Sequence, residues 1–285
     1  MTIARLGIVG SGIMGSGIAE VAAKSGVEVI LRSRKQDTAD AMVAGLERSL
    51  SKQVERGKLE EQAAKEIAAR VSSTDDLHAL HDCDLVLESV VEDLAVKREL
   101  FTRLDDIVKP EGLLATNTST LPVVELAVAT ERPDKVVGIH FFNPATMMSL
   151  VEIIAPLTAS ADTVAAAKAF ATACGKEVVE VKDRAGFIVN ALLFPYLNNA
   201  VRMLEAGTAN RDDIDTAMKG GCNFPMGPLA LLDLVGLDTS LSILDALYAE
   251  FRDPNYAAMP LLRRMVAAGQ LGRKTGVGFF DYSKK

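Results

Sequence analysis

Several features are scarce in this 285-residue chain, and each scarcity excludes a class of protein. The net charge is −7 at pH 7, so we expect no broad basic surface and no nucleic-acid partner. No run of about 20 apolar residues occurs, so we expect no membrane span. The N-terminus goes straight into the first predicted strand, which leaves no room for a signal peptide, so we expect none. The three cysteines, Cys83, Cys174 and Cys222, are far apart and odd in number, which favours a reducing cytoplasmic setting over a disulfide framework.

Histidine is also scarce, with three residues in the chain. His78, His81 and Cys83 form an H-x2-H-x-C cluster that resembles part of a zinc site. A zinc site needs three or four convergent ligands, and no fourth candidate lies nearby in the sequence. We therefore predict no metal site and interpret this cluster as part of a connector. The third histidine, His140, is the candidate for proton transfer.

The chain does contain a glycine-rich turn at the start. Leu6 to Val9 is apolar and short enough for a buried strand, and a helical pattern follows the turn. A second strand pattern, Val27 to Leu31, comes at the spacing of a βαβ unit, which is the context that a dinucleotide-binding turn requires. In such a turn the first glycine permits the bend, the second admits a pyrophosphate, and the third permits close helix packing. The predicted cofactor-binding residues of the turn are Gly10, Ser11, Gly12, Ile13, Met14 and Gly15.

The residues that follow the second strand indicate which dinucleotide is preferred. An NAD site usually has Asp or Glu at this point to bind the ribose 2′-hydroxyl, and here the position is Ser33. A serine does not repel a 2′-phosphate, and the flanking Arg32 and Arg34 carry guanidinium groups that bind phosphate well. We predict that NADP(H) is favoured over NAD(H). The alternative is that these arginines form a solvated basic edge and that NAD is still used.

Strand and helix patterns alternate through the first two thirds of the chain. They predict an α/β fold with a Rossmann-type, doubly wound and mostly parallel sheet. Residues 38–70 carry two helical faces and no strand pattern, which predicts an inserted helical hairpin. The strand patterns stop after a linker at 182–186. We therefore predict a dinucleotide-binding Rossmann-like domain over 1–183 and a smaller all-helical domain over 184–285 that contacts substrate and forms a homodimer.

The carboxyl edge of the predicted sheet collects polar side chains, and ligands of open α/β sheets bind at that edge. Ser119 follows one predicted strand, and His140 follows the strand 136–139. A hairpin would bring His140 to Glu152, whose neighbours are apolar, and a buried carboxylate is costly unless it is paired. A His–Glu pair is a general acid/base that works near neutral pH. Asn190 lies on the apolar face of a predicted helix, 187–206. Its amide either forms a hydrogen bond between packed helices or contacts the substrate.

Together and in this order, the motifs resemble those of the 3-hydroxyacyl-CoA dehydrogenase family, closest to its single-function 3-hydroxybutyryl-CoA dehydrogenases. The resemblance runs from the first strand to Gly276–Phe280. No single motif decides it, but their order and spacing are specific in combination. The motifs are Gly10–Gly15, Glu88–Glu92, Asn117–Ser119, His140–Pro144, Gly186–Asn190 and Phe224–Pro228.

The resemblance implies a role for each matching position. His140 is the expected acid/base, Glu152 its orienting partner, and Ser119 a contact to the substrate oxygen and the nicotinamide. Asn190 matches an amide near the thioester. Further implied contacts are Glu92, Lys97, Asn117, Asn143 and Lys274 for the cofactor, and Ser49 and Arg56, with Lys52 on the same hydrophilic face, for the CoA part of an acyl-CoA substrate. The family commonly has Asp at the position of Ser33, so the resemblance does not carry NAD dependence to this chain.

Two other functions are compatible with the same scaffold. One is a dehydrogenase of a free hydroxy acid or sugar acid, which would not need a basic face on the inserted helices. The other is a nucleotide-binding protein without catalysis, against which His140, Glu152, Ser119 and Asn190 argue together. A short acyl chain is implied by the closest relatives alone.

Overall fold

The computed structural model describes residues 2–283, and the chain separates into two compact units between Asp183 and Arg184. Each unit has a hydrophobic core of its own. Within the described residues, no helix is both long enough and apolar enough to cross a membrane.

The first unit is built on one sheet, which has eight strands within the described residues. The strands are β1 (Arg5–Val9), β2 (Glu28–Arg32), β3 (Val71–Thr74), β4 (Leu85–Glu88), β5 (Leu113–Thr116), β6 (Val136–Phe141), β7 (Leu150–Ala155) and β8 (Glu177–Lys182). Their order is β3-β2-β1-β4-β5-β6-β7-β8, and all neighbours are parallel except β6 and β7. The order of successive strands reverses at β1, because β2 and β3 lie on one side of it and β4 and β5 on the other. Open α/β sheets bind ligands at such a point. The predicted Rossmann-type, mostly parallel sheet is confirmed.

Helices pack against this sheet and bury its apolar strands. They are α1 (Ile13–Lys24), α2 (Gln36–Glu55), α3 (Glu61–Ala69), α4 (Leu94–Ile107), α5 (Val123–Ala127) and α6 (Ala161–Ala173), with short 3-10 helices at His78–Leu80 and Pro133–Lys135. Strand β4 is buried along its whole length, as expected for a parallel strand covered on both faces. The Asp93 and Ser160 side chains accept backbone hydrogen bonds that cap α4 and α6.

Helices α2 and α3 form the predicted hairpin between β2 and β3. Leu46 and Leu50 are buried in the core of the unit, and Gly57 adopts a φ of 66° in the turn between the helices. Lys52 and Arg56 lie on the exposed side. The hairpin therefore buries apolar side chains in the core of the unit on one side and presents basic side chains to solvent on the other.

The second unit is helical, as predicted. Its helices are α7 (Val189–Glu205), α8 (Arg211–Cys222), α9 (Pro228–Val235), α10 (Leu237–Phe251) and α11 (Pro260–Ala267), with 3-10 helices at Pro254–Tyr256 and Arg273–Thr275. Isolated bridges pair Val277 with Gly272 and Asp281. The buried Asp233 carboxylate accepts hydrogen bonds from the Phe279 and Phe280 amides at 2.8 and 2.9 Å, which fixes the final loop against α9.

Among the differences from the sequence-based expectation are two element boundaries and one additional helix. Helix α7 begins at Val189 rather than at residue 187, because Phe187 has a φ of 50° that a right-handed helix cannot contain. Helix α5 was not expected, and its first amides donate to the carboxylate of Asp183, 60 residues further along the chain. Strand β6 continues to Phe141, so His140 lies inside the strand and not after it.

Candidate active site

The turn between β1 and α1 has the geometry of a phosphate-binding turn. Gly10 has a φ of 134°, and a Cβ there would lie 2.2 Å from the Ser89 carbonyl oxygen. A Cβ on Gly15 would lie 2.6 Å from the Gly10 carbonyl oxygen, so only glycine permits this packing. A Cβ on Gly12 would meet no atom of residues 2–283 within 4 Å. Space therefore remains beside the first amides of α1, where a phosphate is stabilised.

The other predicted residues of the turn divide into two groups. Ser11 is exposed, and the side chain of Ile13 is 78% exposed although it is large and apolar. Met14 packs against the core of the unit. The turn therefore presents a polar backbone and an apolar side chain at its surface, which together suit a dinucleotide.

A cavity of about 720 Å³ opens beside the turn and reaches the end of β2 and one face of α4. Of the described residues that line it, Arg32, Arg34 and Arg103 are basic and Glu99 is acidic, and Ser33 lies between the first two. Burial lowers the pKa of Arg32. The positive charges of Arg103 and Arg34 lower it further, whereas the nearby Asp75 and Asp76 raise it. Guanidinium groups are thus concentrated at the point where the ribose of a dinucleotide is bound in this fold.

Arg103 is a candidate that sequence reasoning missed. It lies on α4, whereas the expected phosphate ligands follow β2, and the two segments are about 70 residues apart. A local pattern gives no signal for such a residue. Its place in the cavity follows from the packing of α4 beside the sheet.

His140 and Glu152 face each other across the antiparallel strands β6 and β7, whose register pairs them directly. His140 Nδ1 lies 2.8 Å from Glu152 Oε2, and the two side chains are 5% and 0% exposed. The other ring nitrogen, Nε2, lies 3.2 Å from Ser119 Oγ. One side of the imidazole therefore contacts a buried carboxylate and the other a hydroxyl. Within residues 2–283, no three His, Cys, Asp or Glu side chains converge as a metal site.

Two predicted asparagines lie at the same edge of the sheet. The Asn117 side-chain oxygen accepts a hydrogen bond from the Phe141 amide at 2.8 Å, which ties the end of β5 to the end of β6. Asn143 is exposed in the loop after β6. Asn117 thus supports the strand that carries His140, while Asn143 is accessible to a ligand.

Glu92 and Lys97, the other predicted cofactor contacts of this unit, are joined to each other and to Glu88. The Lys97 side chain is 1% exposed, and its Nζ lies 2.9 Å from Glu92 Oε2 and 2.9 Å from Glu88 Oε1. Lys97 is therefore enclosed among carboxylates. Sequence reasoning assigned no role to Glu88, although a carboxylate that ends an apolar strand indicates a buried cationic partner.

The predicted CoA contacts lie on α2 and differ in their surroundings. Lys52 and Arg56 are exposed, one helical turn apart. Ser49 is half-buried, and its hydroxyl accepts a hydrogen bond from Gln53 at 3.3 Å. Gln53 also donates to the buried Glu20 on α1 at 2.8 Å. The two cations are free to meet an anionic ligand, whereas Ser49 takes part in the packing of α2 on α1.

The remaining candidates, Asn190 and Lys274, belong to the second unit. Asn190 is buried in the first turn of α7. Lys274 lies in the 3-10 helix Arg273–Thr275, and its Nζ is 2.6 Å from the Asp238 carboxylate.

Comparison with known proteins identifies the family. Residues 5–184 match the family model described as 3-hydroxyacyl-CoA dehydrogenase, NAD binding domain, and residues 186–282 match 3-hydroxyacyl-CoA dehydrogenase, C-terminal domain. The chain belongs to the 3-hydroxyacyl-CoA dehydrogenase family. Members of known sequence include a 3-hydroxybutyryl-CoA dehydrogenase of Clostridioides difficile, 47% identical over 98% of this chain and 100% of that protein.

Other members of the 3-hydroxyacyl-CoA dehydrogenase family are similar over nearly the whole chain. A 3-hydroxybutyryl-CoA dehydrogenase of Mycobacterium tuberculosis is 48% identical over 98% of this chain and 99% of its own length. The crystal structure of (S)-3-hydroxybutyryl-CoA dehydrogenase from Ralstonia eutropha is 41% identical and covers 99% of this chain and 100% of its own, with a TM-score of 0.96. The family resemblance inferred from the motifs is confirmed.

Proposed function

We propose that the protein catalyses reversible hydride transfer between NADP(H) and C3 of a short-chain (S)-3-hydroxyacyl-CoA, with 3-hydroxybutyryl-CoA and acetoacetyl-CoA as the expected pair. The observation that carries the proposal is the arrangement of Ser119, His140 and Glu152 at the carboxyl edge of a dinucleotide-binding sheet. Relatives that match the whole chain and bear the name 3-hydroxybutyryl-CoA dehydrogenase support the substrate.

The proton of the substrate's 3-oxygen passes to or from His140 Nε2. A dinucleotide held at the turn Gly10–Gly15 would supply or accept the hydride through its nicotinamide. Glu152 fixes the orientation of the imidazole through Nδ1 and stabilises its positive form, so that in the reductive direction an imidazolium donates to the developing alkoxide. Ser119 Oγ, 3.2 Å from Nε2, supplies a second hydrogen-bond donor for the same oxygen.

The preference for NADP(H) rests on charge at the end of β2. Ser33 stands where an NAD site usually has a carboxylate, which would repel a 2′-phosphate. Arg32, Arg34 and Arg103 line the same cavity. Guanidinium groups bind phosphate through charge-assisted hydrogen bonds. Glu99, in the lining of the cavity, offsets part of this positive charge, and Asp75 and Asp76 lie near Arg32.

The CoA moiety is the expected ligand of the exposed face of α2. Within residues 2–283, neither Lys52 nor Arg56 forms an ion pair with a carboxylate. Their spacing of one helical turn allows both to meet the phosphates of one ligand. Ser49 has a structural hydrogen bond, so its contact to CoA is secondary to that of the two cations. Asn190 and Lys274 retain the thioester and cofactor roles implied by the family.

The experiment that tests the substrate class compares acetoacetyl-CoA with free acetoacetate as oxidants of NADPH. We expect turnover with the thioester and, because the CoA contacts are lost, a kcat/KM at least about 100-fold lower with the free acid. Equal rates with both would favour a dehydrogenase of free acids. No reaction with either would favour a non-catalytic nucleotide-binding protein.

A further inference from the structure

A network of three charged side chains joins β4 and α4 to the loop that follows β5. Glu88 ends β4, Glu92 lies in the next loop, and Lys97 lies in the first half of α4. The side chains of Glu88 and Lys97 are 0% and 1% exposed, and that of Glu92 is 40% exposed. Buried charges are costly unless they are paired and hydrogen-bonded. The partners of each charge therefore show what the network holds in place.

Glu88 anchors the network. Its two carboxylate oxygens lie 2.9 and 3.0 Å from Lys97 Nζ. They also accept hydrogen bonds from the Val90 amide at 2.6 Å and from the Thr116 hydroxyl at 2.7 Å. Lys97 is thereby fixed in place, and its ammonium reaches Glu92 Oε2 at 2.9 Å as well. One ammonium is thus shared by two carboxylates.

Glu92, which is held by Lys97, in turn binds the loop after β5. Its Oε1 accepts a hydrogen bond from the Thr118 hydroxyl and others from the backbone amides of Ser119 at 2.9 Å and Thr120 at 3.3 Å. Burial disfavours the charge on Glu92, but Lys97 and the hydrogen bonds from the loop outweigh it and hold the pKa of the carboxyl below its ordinary value. Glu92 therefore acts as a fixed anion to which three consecutive residues are bound.

A continuous hydrogen-bonded path follows from these contacts. It runs from Lys97 through Glu92 to the Ser119 backbone, and the Ser119 hydroxyl lies 3.2 Å from His140 Nε2. A single rigid cluster at the base of the loop thus sets where the Ser119 hydroxyl lies relative to the imidazole.

We infer that Lys97 is a positioning residue that, held by Glu88, fixes Glu92 and through it the Ser119 hydroxyl beside His140. The inference rests on the proposed function in that Ser119 and His140 act on the same substrate oxygen. It assigns Lys97 a role other than the direct cofactor contact that the family resemblance implies. A displaced hydroxyl lowers turnover because catalysis depends steeply on the position of reacting groups.

The test is a double-mutant cycle on kcat for acetoacetyl-CoA reduction with the variants Lys97→Met, Ser119→Ala and both together. If Lys97 acts through Ser119, Lys97→Met lowers kcat by about tenfold or more in the native background and by less than about twofold when Ser119 is already alanine. The dissociation constant of NADPH, measured by fluorescence without substrate, stays within about threefold of the native value. Effects that multiply, or a loss of NADPH binding as large as the loss of kcat, would overturn the inference.

A readout that needs no activity is the hydrogen exchange of the backbone amides at 118–120. We expect Lys97→Met to accelerate exchange in a peptide that spans these residues, while a peptide from α6 exchanges at the native rate. Unchanged exchange at 118–120 would contradict the inference whether or not the protein turns over acetoacetyl-CoA, and native inactivity would contradict the proposed function alone. If Lys97→Met does not fold, Glu88→Gln keeps the shape of the anchor, weakens its hold on Lys97, and is expected to give the same pattern with smaller changes.

Discussion

At the residue scale, the proposed chemistry depends on one imidazole, His140, which has a different partner on each nitrogen. Replacement of His140 by Gln introduces a polar amide of similar size and removes the group that can accept and donate the proton. We expect kcat for acetoacetyl-CoA reduction to fall by about 100-fold to 10,000-fold, in the range of a lost general acid, with little change in the binding of NADPH. The matched control is His78→Gln at an exposed histidine, which we expect to leave kcat unchanged. Near-normal turnover of His140→Gln would remove His140 from the mechanism.

Ser33 is the second position at which we propose a decisive side chain, here for the choice between NADP(H) and NAD(H). Ser33→Asp restores a carboxylate that repels a 2′-phosphate and accepts hydrogen bonds from a ribose hydroxyl. We expect the KM for NADPH to rise by about tenfold or more, equivalent to about 1.4 kcal/mol of lost binding, while the KM for NADH stays the same or falls. Ser33→Ala, which removes the hydroxyl without adding charge, serves as the control. An equal rise in both KM values would indicate that Ser33→Asp distorts the turn.

At the element scale, the inserted hairpin supplies a basic face that the Rossmann sheet does not need for its own stability. Arg56→Glu reverses one charge at the end of α2, and the equivalent change Lys219→Glu on α8 is the control. We expect Arg56→Glu to raise the KM for acetoacetyl-CoA by several-fold to about tenfold and to leave kcat nearly unchanged, because the lost contact is equal in the ground and transition states. A change confined to kcat would argue against CoA on this face.

The first strand is held at its start by a carboxylate. Asp84 accepts hydrogen bonds from the Ala4 and Arg5 amides and pairs with Lys109 at 2.7 Å. Burial opposes the charge, but Lys109 and the two amides outweigh it and lower the pKa of Asp84 below its ordinary 3.8. Since the folded-state pKa is the lower one, this stabilisation is complete above about pH 4 and is lost as the pH falls through the folded pKa.

The free energy of unfolding should therefore decline less steeply with acid in Asp84→Asn than in the native protein. Urea unfolding followed between pH 2 and pH 7 measures it, with Asp106→Asn at an exposed site as the control. Parallel curves for the native protein and Asp84→Asn would show that this tether contributes no pH dependence.

Strands and helices also differ in how well the sequence predicts them. Apolar strands alternating with helical faces gave the Rossmann-type sheet and the hairpin, because both patterns are local and periodic. Helix α5 was not predicted, because it has only five residues and the carboxylate that caps its first amides, Asp183, lies in a distant part of the chain. Likewise, the enclosure of Lys97 by Glu88 and Glu92 and the place of Arg103 in the cavity depend on tertiary packing. Local patterns therefore located the polar residues at the sheet edge and the His140–Glu152 pair of adjacent strands, but not the contacts that Lys97 and Arg103 make with distant segments.

At the scale of the whole molecule, the helical second unit exposes large apolar side chains, among them Leu192, Leu234 and Phe224. We propose that such surface is buried in a homodimer. Sedimentation velocity at micromolar concentration should give one species of twice the chain mass, whereas a monomer at that concentration would contradict the dimer. A cytoplasmic location, favoured by the scarce and separated cysteines, stays a prediction.

We propose that this member of the 3-hydroxyacyl-CoA dehydrogenase family reduces a 3-oxoacyl-CoA with NADPH. The most direct measurement is acetoacetyl-CoA reduction by the purified protein, with NADPH and NADH compared at one low concentration. We expect turnover with both and a clear preference for NADPH, because three arginines line the cavity around Ser33 and a serine stands where an NAD site usually has a carboxylate. Turnover that favours NADH would contradict the phosphate-binding role of these arginines, and no turnover with either cofactor would contradict the proposed reaction.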